Sequence, residues 1–220
     1  ETLGLDWDSI SLMEGDSDAL PSGGGTGGSR SLIMAGRTLM RAADDVIAQA
    51  KPRAAERLEA AIEDVEFSAA EGGVFRIAGT DRTVRLVEIA AEMDGLTGAG
   101  DVSDREPTFP NGCHCAEVEI DPETGRMALT RYTVVDDFGK IVNPLLVTGQ
   151  VHGGVVQGGG QAMMEHARWD PETGQPLTAS FMDYAMPRAD DWPMFDTAFN
   201  EGAPTPTNPL GVKGCGEAGA

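Results

Sequence analysis

The chain has 220 residues, with 16 Lys and Arg against 36 Asp and Glu and a formal net charge of −20 at pH 7. A surface this acidic repels phosphate backbones and anionic headgroups, which argues against nucleic acid and membrane as partners, and no apolar run approaches the roughly 18–20 residues of a membrane span. With 40% hydrophobic but only 5% aromatic residues, the composition predicts a soluble folded protein whose core leans on aliphatic side chains and Met.

In chain order, residues 10–14 (Ile-Ser-Leu-Met-Glu) predict a short strand, followed by a polar, glycine-rich loop up to Gly28. Leu32, Ile33, Gly36, Leu39, Met40, Ala43 and Ile47 then recur at the three-and-four spacing of one helical face, with Ser29 as the expected N-cap. Pro52 is expected to start a second helix through Glu63. Short apolar runs at 65–67 and 74–77 flank Gly72-Gly73 as a hairpin, and 86–93 predicts a short helix. The polar stretch 95–110 is the best internal boundary, giving expected units 1–95 and 96–220.

Beyond it, runs at 116–120 and 126–135 enclose Asp121-Pro122-Glu123-Thr124-Gly125, a second hairpin. The same five residue types return at 170–174, and both copies read as turn chemistry. Residues 150–166 predict a helix entered through glycines, and 192–209 a Pro-rich mixture of loop and strand. Strands and helices mix without regular alternation, which predicts α+β: mixed sheets with packed helices.

Four segments carry candidate chemistry. Ser22-Gly23-Gly24-Gly25-Thr26-Gly27-Gly28-Ser29-Arg30-Ser31 contains the letters GxGxxG. It lacks the tight strand–glycine–helix context of a dinucleotide fold, and no Gly-Lys-Ser/Thr follows as in a P-loop. A glycine loop opening a helix, with Arg30 beside two hydroxyls, still suits an anion; a flexible loop with a surface Arg is the equal alternative. In Gly149 to Gln161, six glycines and three glutamines share one helical stretch. Glycine costs a helix about 1 kcal/mol against Ala, so either close packing or a ligand on the backbone must require it.

Glu217 stands among glycines in Lys213-Gly214-Cys215-Gly216-Glu217. It suits a general base in a dry pocket, or else it is an exposed Glu on a mobile tail. Cys113-His114-Cys115 lacks the paired spacing of a zinc site, so buried strand residues are expected there and no metal ligand is assigned. Three Cys cannot pair completely, which predicts reduced thiols in a cytoplasmic protein.

Taken in order, the Gly28-Ser29-Arg30-Ser31 turn, Gly149 to Gln157 and Asn208 to Glu217 resemble the molybdenum-binding subunit of the xanthine dehydrogenase, aldehyde oxidase and carbon monoxide dehydrogenase family. Residues 109–114, 121–125 and 180–188 resemble it as well, so the likeness covers essentially the whole chain. The resemblance implies two subdomains of the molybdopterin-binding type. It implies that Gly28, Ser29, Arg30 and Ser31 hold the phosphate of a pyranopterin molybdenum cofactor or its cytosine dinucleotide. It further implies that Gln150 hydrogen-bonds the pterin with Gln157 in support, that Glu217 is the catalytic base, and that Gly216 is the backbone beside it.

The implied reaction is oxidative hydroxylation of an aldehyde, N-heterocycle or purine, or oxidation of carbon monoxide. A non-catalytic phosphate-binding or structural domain with the same fold is the alternative. The implied partners are a small-molecule substrate, an iron–sulfur subunit, an FAD subunit and the N-terminal half of the molybdenum subunit. With the chain opening on Glu1 and lacking that half, the expectation is a fragment or a split subunit without turnover of its own.

Overall fold

The computed structural model describes residues 1–20, 23–103 and 106–219. Ser22 of the glycine-rich segment and Ala220 lie outside the described residues. The architecture is α+β, and the chain falls into two units: Glu1–Gly25 with Met34–Arg105, and Thr26–Ile33 with Glu106–Ala220.

Helix α1 (Ser31–Leu58), which belongs to the first unit from Met34 onward, runs straight through Pro52. The second helix expected at Pro52 is therefore the last part of α1, which ends at Leu58 and not at Glu63. Proline removes one backbone donor, and burial of the flanking face outweighs it: Ala50, Ala54, Ala55 and Leu58 all sit in the core. The apolar face is also shifted from the expected one. Ile33 and Ala43 are buried, whereas Leu39 remains 68% exposed.

Strands β1 (Val65–Ser68), β2 (Val74–Ile77) and β3 (Thr83–Arg85) form an antiparallel sheet in the order β1-β2-β3. Helix α2 (Leu86–Glu92) follows directly. Val65, Phe75, Val84, Leu86 and Ile89 close this core against α1. Residues 10–14 form no strand: Leu12 and Met13 are exposed, and among the described residues no strand pairs with their backbone, so the short apolar run is not held as part of a sheet.

In the second unit, β4 (Asn111–Ile120) and β5 (Met127–Asp137) pair antiparallel, and β6 (Phe195–Phe199) adds parallel to β5. The Asp121 turn closes the hairpin: its carboxylate accepts the N–H groups of Glu123 and Thr124, and Gly125 N–H donates to the Asp121 carbonyl at 2.7 Å. The Asp170 turn repeats this pattern with Glu172, Thr173 and Gly174. Helix α3 (Pro144–Met163) starts earlier than expected, because Asn143 caps it by accepting from Leu146 N–H and Pro144 sits in its first turn. Val151 and Val155 on α3 pack against Val134 and Phe138, setting one face of α3 on the sheet.

Candidate functional site

The C-terminal loop of the second unit is built by a ladder of anchors. Asn208 donates from Nδ2 to the Val212 carbonyl at 2.9 Å and accepts the Val212 N–H at 3.3 Å. Lys213 N–H donates to the Phe138 carbonyl at 2.7 Å, and Lys213 Nζ reaches Asp137 Oδ2 at 3.0 Å in a buried ion pair. Burial pushes the Asp137 carboxyl up, but the Gly139 N–H and the Lys213 ammonium outweigh it, so the carboxyl lies below its ordinary value of 3.8. Gly214 N–H donates to Thr108 Oγ1 at 3.2 Å. These anchors leave Glu217 exposed at the tip.

The next anchor comes from the other end of the chain. Ser29 Oγ accepts the backbone N–H groups of Cys215 and Gly216, each at 2.8 Å. Ser29 is therefore not the N-cap of α1, as expected from the sequence. It stands two residues before the helix with φ +51°, so its hydroxyl turns onto the 215–216 backbone. Gly28 precedes it with φ +61°, and two successive left-handed residues make the sharp turn that only a small side chain tolerates easily. Ser31 Oγ hydrogen-bonds Thr26 Oγ1 within the same turn. Arg30 is half-buried there, next to the first turn of α1. Asp45, an acid that a dinucleotide fold would offer to a ribose, instead accepts the Ala99 N–H at 2.9 Å within the first unit.

The glycines of α3 divide into two sets. A Cβ on Gly154 would lie 2.0 Å from the Ala218 carbonyl oxygen. On Gly159 it would strike the Trp192 ring, and on Gly160 the Pro187 ring. These are packing glycines, and Gly154 lets the Glu217 loop rest on the helix. Gly149 and Gly153 have open space where a side chain would stand. They share the exposed face of α3 with Gln150 and Gln157. Gln150 Oε1 lies 3.5 Å from the point a Gly216 Cβ would occupy, so Ser29, Gln150, Cys215 and Gly216 meet in one place. Gln157 lies two turns further along and is exposed.

His114 is on the α3 side of β4, while Cys113 and Cys115 are exposed. Its Nδ1 is 2.9 Å from Tyr132 Oη and its Nε2 3.1 Å from Asp136 Oδ1. His114, Asp136, Gly112, Gly214 and Glu217 line a cavity of about 240 Å³. A larger cavity of about 600 Å³, among Met164, Phe181, Met182, Tyr184 and Arg188, contains none of the candidate site residues. The Cys215 thiol is pushed up by burial, with the Glu217 charge adding to the effect against the Ser29 hydrogen bond.

Sequence reasoning missed Asn208, Lys213, Asp137, Asp136 and Thr108 as builders of the loop. One signal was present: Asp136-Asp137 follows Val134-Val135 and precedes Phe138-Gly139, where two carboxylates among apolar neighbours need partners.

The fold is that of a molybdopterin cofactor-binding domain. The family profile for the molybdopterin cofactor-binding domain matches residues 1–193, and the chain belongs to that family. It is 37% identical, over its whole length, to the gamma subunit of the 6-hydroxypseudooxynicotine dehydrogenase complex of Paenarthrobacter nicotinovorans, of which it covers 28%. It is 34% identical to the carbon monoxide dehydrogenase large chain of Afipia carboxidovorans, over 98% of this chain and 27% of that one. The crystal structure of a copper- and molybdenum-containing CO dehydrogenase superposes with a TM-score of 0.83 at 34% identity, over 98% of this chain and 28% of that one. Quinoline 2-oxidoreductase of Pseudomonas putida 86 superposes with a TM-score of 0.75 at 30% identity, over 88% of this chain and 26% of that one. The chain thus spans little more than a quarter of the length of these relatives.

Proposed function

We propose that this chain is the cofactor-binding, base-bearing part of a molybdenum hydroxylase. The observation that carries the reading is the double hydrogen bond of Ser29 Oγ to the Cys215 and Gly216 amides, which joins the glycine turn to the loop bearing Glu217. The donor set fits a large anionic pterin. Gly28 to Ser31 brings backbone amides at the start of α1, two hydroxyls and a guanidinium together, a set suited to a phosphate. Gln150 and Gln157 offer neutral amides, and the open positions at Gly149 and Gly153 let a flat group approach the helix backbone.

When bound, the cofactor supplies the redox chemistry that oxidises the substrate with oxygen from water. In this reading Gly28, Ser29, Arg30 and Ser31 bind its phosphate, in the pyranopterin or cytosine dinucleotide form. Gln150 orients the pterin with Gln157 in support, and Gly216 lends its backbone. Glu217 is the general base, and the anchors at Ser29, Thr108 and Lys213 keep its carboxylate in register. Residues 1–95 and 96–220 are read as the first and second cofactor-binding subdomains. The substrate is drawn from the N-heterocycles, aldehydes, purines and carbon monoxide. Electrons leave to an iron–sulfur subunit and an FAD subunit, and the remaining length of the molybdenum subunit supplies the rest of the site, in the cytoplasm.

The test is molybdenum and pterin content of the full-length protein, co-expressed with its neighbouring genes in molybdenum-replete medium and assayed with quinoline, nicotine and carbon monoxide. Near-stoichiometric molybdenum and pterin are expected, with turnover on one probe reduced about 10²-fold or more in Glu217→Gln, as for loss of a positioned base. A folded assembly without pterin, or Glu217→Gln at the parental rate, overturns the reading.

A further inference from the structure

The cavity beside Glu217 is lined by a residue with a buried polar atom that no described residue satisfies. The Asp136 side chain is 4% exposed. Its Oδ1 is 3.1 Å from His114 Nε2, but its Oδ2 is buried with no hydrogen-bond partner. Buried carboxylate oxygens are rarely left unpaired, because the desolvation cost is high. Gly112 lets this carboxylate lie against the β4 backbone: a Cβ there would lie 1.9 Å from Asp136 Oδ1. The cavity, about 240 Å³, has room for several waters at the roughly 30 Å³ each occupies in the liquid. Its lining brings Asp136, His114 and Glu217 to one space.

One assignment of the hydrogen bonds satisfies both ring nitrogens of His114. Burial, with the Asp136 charge adding to it, pushes the Tyr132 phenol up, so it keeps its proton at neutral pH. In that assignment Tyr132 O–H donates to His114 Nδ1, and Nε2 carries a proton and donates it to Asp136 Oδ1. The ring is held edge-on by Tyr132 and lies under Gly219, where a Cβ would come 3.3 Å from His114 Cε1. Asp136 Oδ2 is then the oxygen left without a partner, on a residue that lines the cavity.

We infer that Asp136, held by His114 and Tyr132, takes up the proton collected by Glu217, through water bound in this cavity. This rests on the reading of Glu217 as the base. In the step, the Glu217 O–H bond breaks and an O–H bond forms on the cavity water. That water passes one of its own protons to Asp136 Oδ2. Glu217 is again a carboxylate, Asp136 carries the proton, water is regenerated, and no electrons move. His114 and Tyr132 are positioning residues, since they act only through Asp136.

The test uses the full-length, cofactor-loaded protein. Its crystal structure is expected to contain an ordered water within hydrogen-bond distance of Asp136 Oδ2 that continues to Glu217. Asp136→Asn keeps the acceptor for His114 but cannot take the proton. With molybdenum and pterin content unchanged, kcat on the probe that is turned over is expected to fall about tenfold, part of the ~10²–10⁴ a positioned acid or base contributes. The solvent deuterium isotope effect is expected to rise, with KM unaltered. Tyr132→Phe keeps the ring and loses only the hydroxyl, and is expected to move the isotope effect the same way if Asp136→Asn does not fold. A dry cavity, or both variants at parental kcat and isotope effect, overturns the inference. Parental turnover in Glu217→Gln instead overturns the reading beneath it, so the two failures are distinguishable.

Discussion

The hydroxyl of Ser29 closes a contact with Gly216 across 187 positions of sequence, accepting its N–H and that of Cys215 at the same 2.8 Å. Removing that oxygen leaves two backbone donors short of an acceptor in a part-buried place. Ser29→Ala is expected to cost about 1–3 kcal/mol, read as a fall in the denaturant midpoint. Pterin content of the purified protein should fall with it; an unchanged midpoint would mean that the hydroxyl is not needed to hold the loop.

Lys213 and Asp137 form an ion pair in which both side chains are less than a tenth exposed. Lys213→Met is expected to destabilise by about 3–5 kcal/mol, because it leaves a buried carboxylate short of its counter-charge. Thermal melting followed by circular dichroism measures this, and a loss below 1 kcal/mol would place the pair in contact with solvent.

The Asp137 carboxyl is depressed below 3.8, so its contribution to stability is complete above that pH. As pH falls through 3.8 the unfolded chain takes the proton first, and the contribution is lost as pH passes the folded-state value. Urea midpoints measured from pH 6 down to pH 2 should drop in this acid window. The drop should be shallower in Asp137→Asn, which has no proton to bind; parallel profiles would contradict the assignment.

The two sets of glycines on α3 should separate experimentally. Gly149→Ala and Gly153→Ala fill open space and are each expected to stabilise the helix by up to about 1 kcal/mol, while lowering pterin occupancy if a ligand lies on that face. Gly154→Ala meets the Ala218 carbonyl and should lower both stability and occupancy. Equal occupancy in all three variants would remove α3 from the binding surface.

Burial holds the Cys215 thiol in its protonated form, while Cys113 and Cys115 are exposed on β4. Alkylation proceeds through the thiolate. Brief iodoacetamide treatment of this chain at neutral pH, mapped by mass spectrometry, should modify Cys113 and Cys115 before Cys215. Cys215 reacting first would mean that its loop is open.

Local chemistry was legible in the sequence by itself. The α+β class, both hairpins of the β1–β2 and β4–β5 kind, α2, and the paired Asp-Pro-Glu-Thr-Gly turns follow from spacing and turn residues that act over a few positions. So did the ordered motifs that mark the family. What only the tertiary structure decided was every feature whose partner is distant. Pro52 reads as a helix start, yet core burial carries α1 past it. Residues 10–14 read as a strand, yet among the described residues no strand pairs with them. Ser29 reads as a helix cap, yet its hydroxyl serves amides at the far end of the chain. The glycines of α3 look alike as letters, and only the position of Ala218, Trp192 and Pro187 separates those that packing demands from those left open. A carboxylate, a hydroxyl or a missing Cβ takes its meaning from the atom it meets, and that atom is chosen by the fold.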